Sequence, residues 1–285
     1  MDRGYDYQTK ADHIKLHMSI NPPLLLLAGA LLLTGCDRDR TSGLCTRFPQ
    51  FCADLHGDSW CNAERDALVQ ARYERAGAAG DAGRYRLMSS LEDYRQCLDP
   101  LLDIEYTKRH ERKNDKVETL VDITEELERL EAQTADSDYP YLQLWRWQRH
   151  GDRAARNAFI AQAERPAMQQ ADLQLALARL VRHRDPEATE QALHRALVLL
   201  PAGEQPPADL MGTLVELYVS QQRYQEAWIW TTIMKELKDS QQVDWGQMAS
   251  HVRFDEDQQA RLRQQADAIV RQLQQGRYQH GGAAY

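Results

Sequence analysis

Five cysteines carry the thiol chemistry of this chain, and one of them stands apart from the rest. Cys36 ends an apolar run, and the other four follow over a short stretch: Cys45, Cys52, Cys61 and Cys97. Four thiols of this kind can bind a metal ion or form two disulfides. Their spacing includes no pair separated by two residues, and no histidine is placed to complete a metal site. The four cysteines therefore favour two disulfides, in any of three pairings, and an oxidising compartment.

The apolar run, residues 24–34, is too short to cross a bilayer, which takes about 20 apolar residues. Its length suits the apolar core of a signal peptide, and small residues precede the cysteine, as a signal peptidase requires. Residues 33–36, Leu-Thr-Gly-Cys, resemble the lipobox of bacterial lipoproteins. That resemblance implies removal of residues 1–35, a diacylglycerol thioether on Cys36, and acylation of the new amine with a chain such as palmitate. The alternatives are an ordinary cleaved signal peptide and a short buried helix.

The residue after the lipidated cysteine bears on which membrane holds the protein. In enteric-type bacteria an aspartate at this position, as Asp37 is here, resembles the signal for retention in the inner membrane. We therefore expect the periplasmic side of the inner membrane, with the outer membrane as the alternative. The three basic residues ahead of the apolar run all precede Met18, and a signal peptide that starts there would lack them. The sequence leaves both Met1 and Met18 open as the translation start.

The charge balance limits the kinds of partner. The chain has 285 residues and a formal net charge of −8, and removal of residues 1–35 leaves that charge unchanged. An acidic protein disfavours nucleic acid, which binds basic surfaces, and it disfavours lying flat on anionic lipid. We therefore expect a body that is kept soluble by its charge and tethered by its lipid, with no nucleic-acid partner.

The segments that contain Cys61 and Cys97 are predicted to be helical. Apolar residues recur at three- and four-residue steps, and no stretch alternates apolar and polar residues as a half-buried strand would. Cys61 begins one predicted helix and Cys97 lies midway along the next. An α-helix rises about 1.5 Å per residue, so the two sulfurs fall at similar height on an antiparallel pair. This geometry favours a bond between Cys61 and Cys97, which leaves Cys45 to pair with Cys52.

Three turns in the second half of the chain resemble one another and divide it into helical pairs. They cover residues 150–155, 183–188 and 222–227, and each includes an alanine, whose small side chain lets two helices approach closely. The predicted pairs are residues 140–149 with 152–163, 167–182 with 186–200, and 208–220 with 224–237. These pairs resemble tetratricopeptide (TPR) or Sel1-type repeats.

The predicted organisation is all-α: an N-terminal disulfide-bonded helical region followed by an α-solenoid of TPR/Sel1-like helical hairpins. After the signal peptide, residues 1–35, a loop-rich collar with cysteines covers residues 36–60, and the helical N-terminal region covers residues 61–135. The helical-repeat region with its capping helix covers residues 136–275. A glycine-rich, disordered tail is predicted over residues 276–285.

The layout as a whole resembles a family of proteobacterial lipoproteins known as domain of unknown function 2989. The features that carry the resemblance are the lipobox, the four later cysteines, and residues 173–178, 184–187 and 226–230. The resemblance extends over most of residues 36–275. It implies the helical architecture and supplies no activity and no catalytic residue.

Motifs that would signal an enzyme are absent from the sequence. It contains no nucleophile elbow, zinc-protease helix, P-loop or dinucleotide-binding glycine motif. Asp54, His56 and Asp58 alternate in the predicted collar and could form a metal or acid/base cluster, but a solvated polar turn is the commoner meaning of such a pattern. The acidic run that includes Glu125 and Glu126 is typical of a solvated helix face. We therefore expect no catalytic residue, no cofactor and no metal.

Four tryptophans are the candidate partner-binding residues: Trp145, Trp147, Trp228 and Trp230. Residues two apart on a helix do not face the same way. We therefore expect one tryptophan of each pair in the core. The other would lie at a repeat interface or on the concave surface, where an aromatic side chain can anchor a bound chain.

The function that these features favour is a binding or scaffold module, lipid-anchored in the periplasm through Cys36, for a protein or peptide partner in the bacterial envelope. Stacked helical repeats form extended concave surfaces that suit such partners. The alternative is an envelope enzyme, or a regulator of one, that acts on peptidoglycan or another glycan through carboxylates such as Asp54 or Glu64. A purely structural role, in which the repeats brace a larger complex, is a third possibility.

Overall fold

The computed structural model describes residues 37–55, 60–104, 111–237 and 253–280. Within these ranges the chain forms eleven α-helices and no strand, so the all-α prediction is confirmed. The helices are α1 Asp37–Arg47, α2 Asn62–Gly77, α3 Asp81–Leu98, α4 Glu111–Gln133, α5 Pro140–His150, α6 Arg153–Ala161, α7 Ala171–Val181, α8 Pro186–Val198, α9 Ala208–Ser220, α10 Tyr224–Leu237 and α11 Glu256–Gln274. Three short 3-10 helices stand between them: Pro49–Phe51, Asp99–Asp103 and Pro166–Met168. None of the helices described here combines the length and the apolarity that crossing a bilayer requires.

The N-terminal core forms around the hairpin of α2 and α3, against which α4 packs. Apolar residues of α3 recur at three- and four-residue steps and are almost completely buried: Leu87, Met88, Leu91, Tyr94 and Leu98. α1 joins this core through Leu44, which is also buried. The loop-rich collar predicted over residues 36–60 is therefore helical over much of its length. Leu44 gives α1 an apolar contact with the core. The rest of the α1 sequence is largely polar, so the sequence pattern did not predict this helix.

The second half of the chain forms a series of helical hairpins, as the repeated turns predict. α5 pairs with α6, α7 with α8, and α9 with α10, and α11 packs against α10 at the end of the series. Asp152 and Asp185 cap α6 and α8 by accepting hydrogen bonds from backbone N–H groups of the first turn. Two of the repeated turns are thus start signals for the second helix of a hairpin.

The alanines after the turns behave differently from one hairpin to the next. Ala155 and Ala227 are fully buried, as expected for residues that let two helices approach closely. Ala188 is only half-buried, and the next residue, Thr189, takes the buried position instead. The Thr189 hydroxyl donates to the backbone oxygen of Asp185, so its polar atom is satisfied inside the helix.

The segment after α11 differs from its prediction. Residues 276–280, predicted as part of a disordered tail, fold back onto the hairpins, and Tyr278 is buried in the same hydrophobic cluster as α8 and α10. The glycine-rich composition suggested disorder, but one tyrosine supplies enough buried surface and hydrogen bonding to hold the segment. Residues 281–285 lie outside the described part of the chain.

Candidate binding cleft

The two disulfides join the pairs of cysteines that the sequence favours. Cys45 is bonded to Cys52 with their Cα atoms 5.7 Å apart, and Cys61 to Cys97 with 5.9 Å between Cα atoms. Cys97 stands next to the last residue of α3 rather than midway along it, so the start of α2 faces the end of α3. Cys36, the predicted lipidation site, lies outside the described residues, and Asp37, the predicted sorting residue, is the first residue of α1.

Asp54, a candidate acid of the alternative enzyme hypothesis, is engaged in an ion pair. Both of its carboxylate oxygens accept hydrogen bonds from Arg72, at 2.8 and 2.7 Å. The same guanidinium binds a Glu126 oxygen at 2.6 Å and the backbone oxygen of Phe51 at 3.0 Å. His56, from the same predicted cluster, is outside the described residues, as is Asp58.

This ion pair ties three parts of the N-terminal region together. The Arg72 side chain is only 9% exposed, and it links the collar to α2 and α4. Burial alone would lower the pKa of Arg72, but the hydrogen bonds and charges of Asp54 and Glu126 outweigh burial and raise it. Glu126 is therefore a structural partner rather than part of a solvated acidic face. The carboxylates here are occupied in holding the fold.

Glu64, the other candidate acid, stands in the first turn of α2 beside the second disulfide. A carboxylate oxygen of Glu64 and the sulfurs of Cys61 and Cys97 lie within 4.8 Å of one another. Because the two sulfurs are bonded to each other, they are not thiolates and do not act as metal ligands. Among the described residues, this group around Glu64 consists of a disulfide and one carboxylate.

The four tryptophans separate as expected, with one buried member in each pair. Trp145 is buried and its indole N–H donates to Glu92, and Trp230 is buried among the helices of the second half. Trp147 is half-buried under the Arg156 guanidinium, whose carbon lies 5.3 Å from a ring centroid. The half-buried Trp228 packs edge-on against Phe254. None of the four is an isolated exposed anchor.

A cleft with a volume of about 490 Å³ opens beside Trp230. Its walls come from α8, the end of α9, the following turn, α10, α11 and residues 278–280. One wall is aromatic and apolar, with Trp230, Ile229 and Ile269. The lining also includes glutamines of α11, among them Gln264 and Gln272. Apolar and aromatic surface combined with polar groups is the usual composition of a binding pocket.

His194, at the floor of this cleft, stands in a chain of hydrogen bonds with a fixed direction. Tyr218 donates its hydroxyl hydrogen to Glu190 over 3.0 Å, so its oxygen is available to accept from Nε2–H of His194, 2.8 Å away. The neutral imidazole then has its lone pair on Nδ1, which accepts from the hydroxyl of Tyr278 at 2.7 Å. Arg223 completes the chain by donating to the other Glu190 oxygen at 2.7 Å.

The pKa shifts of His194 and Tyr218 agree with the donor and acceptor roles assigned to them in this hydrogen-bond chain. Burial, together with the charges of the neighbouring His280 and Arg223, lowers the pKa of His194 to about 3. The imidazole is therefore neutral at ordinary pH, as the hydrogen bonds require. Burial and the Glu190 carboxylate raise the pKa of Tyr218, which keeps that hydroxyl protonated and able to donate.

Glu190, His194 and His280 also approach the composition of a metal site, because possible ligand atoms of the three lie within 4.8 Å of one another. The arrangement does not suit an ion. Both nitrogens of His194 and both oxygens of Glu190 have hydrogen-bond partners already. The two imidazole rings are stacked, with centroids 3.6 Å apart, so their in-plane lone pairs do not converge on one point.

The residues of this cleft were not among the predicted site residues, except for Trp230. Glu190 and His194 are spaced as neighbours on one helix face, and His194 falls on the apolar face of α8. The pairing of Glu190 with His194 on the apolar face of α8 was the sequence feature that could have pointed to this cleft. It could not identify Tyr278, which lies 84 residues from His194 in the chain.

A family model described as protein of unknown function (DUF2989) matches residues 33–232. The match begins at Leu33 and ends within α10, so it includes both disulfides, the first two hairpins and most of the third. No curated protein and no solved structure gives a significant match. Because the family model covers well over half of the sequence, the chain belongs to the DUF2989 family.

Proposed function

We propose that this protein is a lipid-anchored, extracytoplasmic binding module that presents the cleft beside Trp230 to a peptide or protein partner in the bacterial envelope. The observation that carries the proposal is the cleft itself. It combines an aromatic wall with amide groups of α11 and a buried, fully hydrogen-bonded polar floor. Amide side chains can pair with the backbone of a bound peptide, and the apolar wall can take a side chain.

The proposed location is supported by the cysteines and by what precedes them. Residues 33–36 have the lipobox pattern, and the four remaining cysteines are all in disulfides. Disulfides of this kind persist in oxidising compartments such as the periplasm. Lipid on Cys36 would hold the protein at a membrane surface, and Asp37 favours the inner membrane as the site of attachment.

A binding role accounts for the ionisable groups better than an enzymatic one. In the cleft, Glu190 accepts from Tyr218 and Arg223, so its oxygens are committed to the fold. In the N-terminal region, Asp54 is held at both oxygens by Arg72. A general acid or base needs an oxygen or nitrogen that can reach a substrate proton. Asp54 and Glu190 serve instead as hydrogen-bond acceptors for neighbouring side chains.

The test is photo-crosslinking in living cells. A photoreactive amino acid replaces Gln264, an exposed residue of α11 that lines the cleft, and in a matched control it replaces Arg263, the exposed neighbour outside the cleft. The expected result is a defined crosslinked protein from position 264 that is absent from position 263. Equal crosslinking at both positions, or none at position 264 from correctly exported protein, would contradict the proposal.

A further inference from the structure

The C-terminal segment, residues 276–280, leaves α11 through a turn that only glycine fits. Gly276 has φ of +63°, and a Cβ atom at this position would lie 2.7 Å from the backbone nitrogen of Ala202. The turn is fixed by a hydrogen bond from the Arg277 N–H to the backbone oxygen of Gln272, at 2.8 Å. The chain is thereby aimed back toward the cleft.

Within this segment Tyr278 is the buried residue, and the exposed His280 stacks on the ring of His194 with centroids 3.6 Å apart. Tyr278 is 6% exposed, its hydroxyl donates to His194, and its ring lies edge-on to Trp230 with centroids 6.1 Å apart. The flanking Arg277 and Gln279 are exposed. The segment is thus held as a bound peptide would be, by the buried aromatic anchor Tyr278 and by the stacking of the exposed His280 on His194.

We propose that the pocket formed by His194 and Trp230 recognises a tyrosine side chain of the partner peptide, and that Tyr278 occupies this pocket until the partner displaces it. The inference rests on the proposed binding function and names both the ligand chemistry and the device that regulates access. Tyr278 of the C-terminal segment thus occupies the position that a tyrosine of the partner peptide would take. The cleft beside the tail gives an incoming peptide a surface to contact before the exchange is complete.

The chemistry of the pocket distinguishes tyrosine from phenylalanine. Nε2–H of His194 is committed to Tyr218, whose own hydrogen is committed to Glu190, so Nδ1 is an acceptor that requires a donor. A tyrosine hydroxyl supplies that donor, whereas a phenylalanine ring would leave Nδ1 buried without a partner. Leaving a buried acceptor unpaired weakens binding by roughly tenfold or more.

The experiment uses the mature chain and a synthetic hexapeptide with the sequence of residues 275–280, together with the same peptide carrying phenylalanine in place of tyrosine. Peptide affinity is measured by fluorescence anisotropy for the wild type, for Tyr278→Ala, which empties the pocket, and for Tyr278→Phe, which keeps it filled. The expected result is affinity roughly tenfold or more higher for Tyr278→Ala than for the wild type, because the internal competitor is gone. Tyr278→Phe should stay closer to the wild type. The tyrosine peptide should bind roughly tenfold more tightly than the phenylalanine peptide.

A second variant covers the case in which Tyr278→Ala does not fold. Gly276→Ala forces a Cβ against Ala202 and strains the turn while leaving every side chain of the pocket unchanged. It should also raise the peptide affinity above that of the wild type. No gain in either folded variant, or equal affinity for the two peptides, overturns the inference.

The two proposals fail separately. If crosslinks form at position 264 in cells but the peptides show no preference for tyrosine, the binding function stands and the tyrosine assignment is wrong. If position 264 gives no crosslink from exported protein, the binding function fails whatever the peptides show. With both proposals correct, Tyr278→Ala also increases the yield of the crosslinked partner.

Discussion

The indole N–H of Trp145 donates to a carboxylate oxygen of Glu92 over 3.0 Å and so joins α5 to α3. Arg149, one turn further along α5, binds the same carboxylate at 2.6 Å. Glu92 is 5% exposed, and Leu142 of α5 is buried in the N-terminal core beside it. This contact links the disulfide-bonded region to the first hairpin of the second half.

Replacing Glu92 with leucine removes the acceptor that Trp145 and Arg149 share. We expect the free energy of unfolding to fall by about 2 kcal/mol, because a buried indole N–H loses its partner, while the partly exposed Arg149 recovers some solvation. Urea unfolding followed by circular dichroism measures the change. The control is Glu128→Gln on an exposed face of α4, which should stay within about 0.5 kcal/mol of the wild type. Equal stability of Glu92→Leu and the control would show that the contact does not matter.

On α2, replacing Arg72 should lower the free energy of unfolding more than replacing the nearby Arg75. Arg72→Met leaves the half-buried carboxylates of Asp54 and Glu126 without their cation, and we expect a loss of about 2 to 3 kcal/mol in the free energy of unfolding. Arg75→Met, at a more exposed position of the same helix that donates to Gln133, should cost less than about 1 kcal/mol. The pair of variants is compared by urea unfolding under identical conditions. If Arg75→Met were the more destabilising of the two, the structural role given to Arg72 would be wrong.

The two disulfides should differ in their effect on stability. Cys61–Cys97 spans 36 residues and Cys45–Cys52 spans 7. In the chain-entropy description, loss of the first costs about 4 kcal/mol and loss of the second about 2 kcal/mol. Thermal unfolding of the two double-alanine variants measures the difference, and mass spectrometry of alkylated protein without reductant checks the pairing. Free thiols in protein isolated from cells would contradict both the pairing and the oxidising compartment.

His194 predicts how stability depends on pH. Its folded pKa of about 3 lies below the ordinary value near 6.5, so the unfolded chain binds a proton that the folded chain does not. Stability from this group is complete above pH 6.5 and falls as the pH decreases toward 3, by at most about 1.4 kcal/mol per pH unit. Around the imidazole stand Glu190, Arg223, His280 and the hydroxyls of Tyr218 and Tyr278.

The measurement is the free energy of unfolding between pH 6.5 and pH 4.5, for the wild type and for His194→Gln. The variant removes this titration and leaves the carboxylates that titrate at lower pH. We expect a shallower slope for His194→Gln than for the wild type over this range. Parallel slopes would mean that His194 is protonated in the folded protein and that the direction of the hydrogen-bond chain is wrong.

Helix periodicity, helical rise and turn signals predicted the parts of the fold that depend on residues close together in the sequence. The expected antiparallel pair of helices led to the correct pairing of Cys61 with Cys97, although Cys97 lies at the end of α3 rather than midway along it. Turns with Asp152 and Asp185 marked where second helices begin. The helix over residues 37–47 was missed because its single strong apolar contact is Leu44. Helix formation there depends on packing against α2 rather than on a periodic apolar face.

The cleft beside Trp230 could not be predicted from patterns of neighbouring residues in the sequence. Its floor requires Glu190, Tyr218 and Tyr278 to meet at His194, and these residues belong to three separate elements. Each of them has an ordinary alternative use on a helix surface or in a tail. Only the packing of α8, α9 and residues 276–280 brings these polar groups together in a buried place, where an unpaired one would be costly.

The central claim, that this protein works outside the cytoplasm on a lipid anchor, is tested most directly by the mass of its mature N-terminus. The protein is extracted from bacterial membranes with detergent, digested, and the N-terminal peptide is analysed by mass spectrometry beside the Cys36→Ser variant. The account predicts a peptide that begins at Cys36 and carries a diacylglycerol thioether and an acylated amine, both lost in Cys36→Ser. A chain that begins at Met1 or Met18, recovered from the cytosol with reduced thiols, would contradict it.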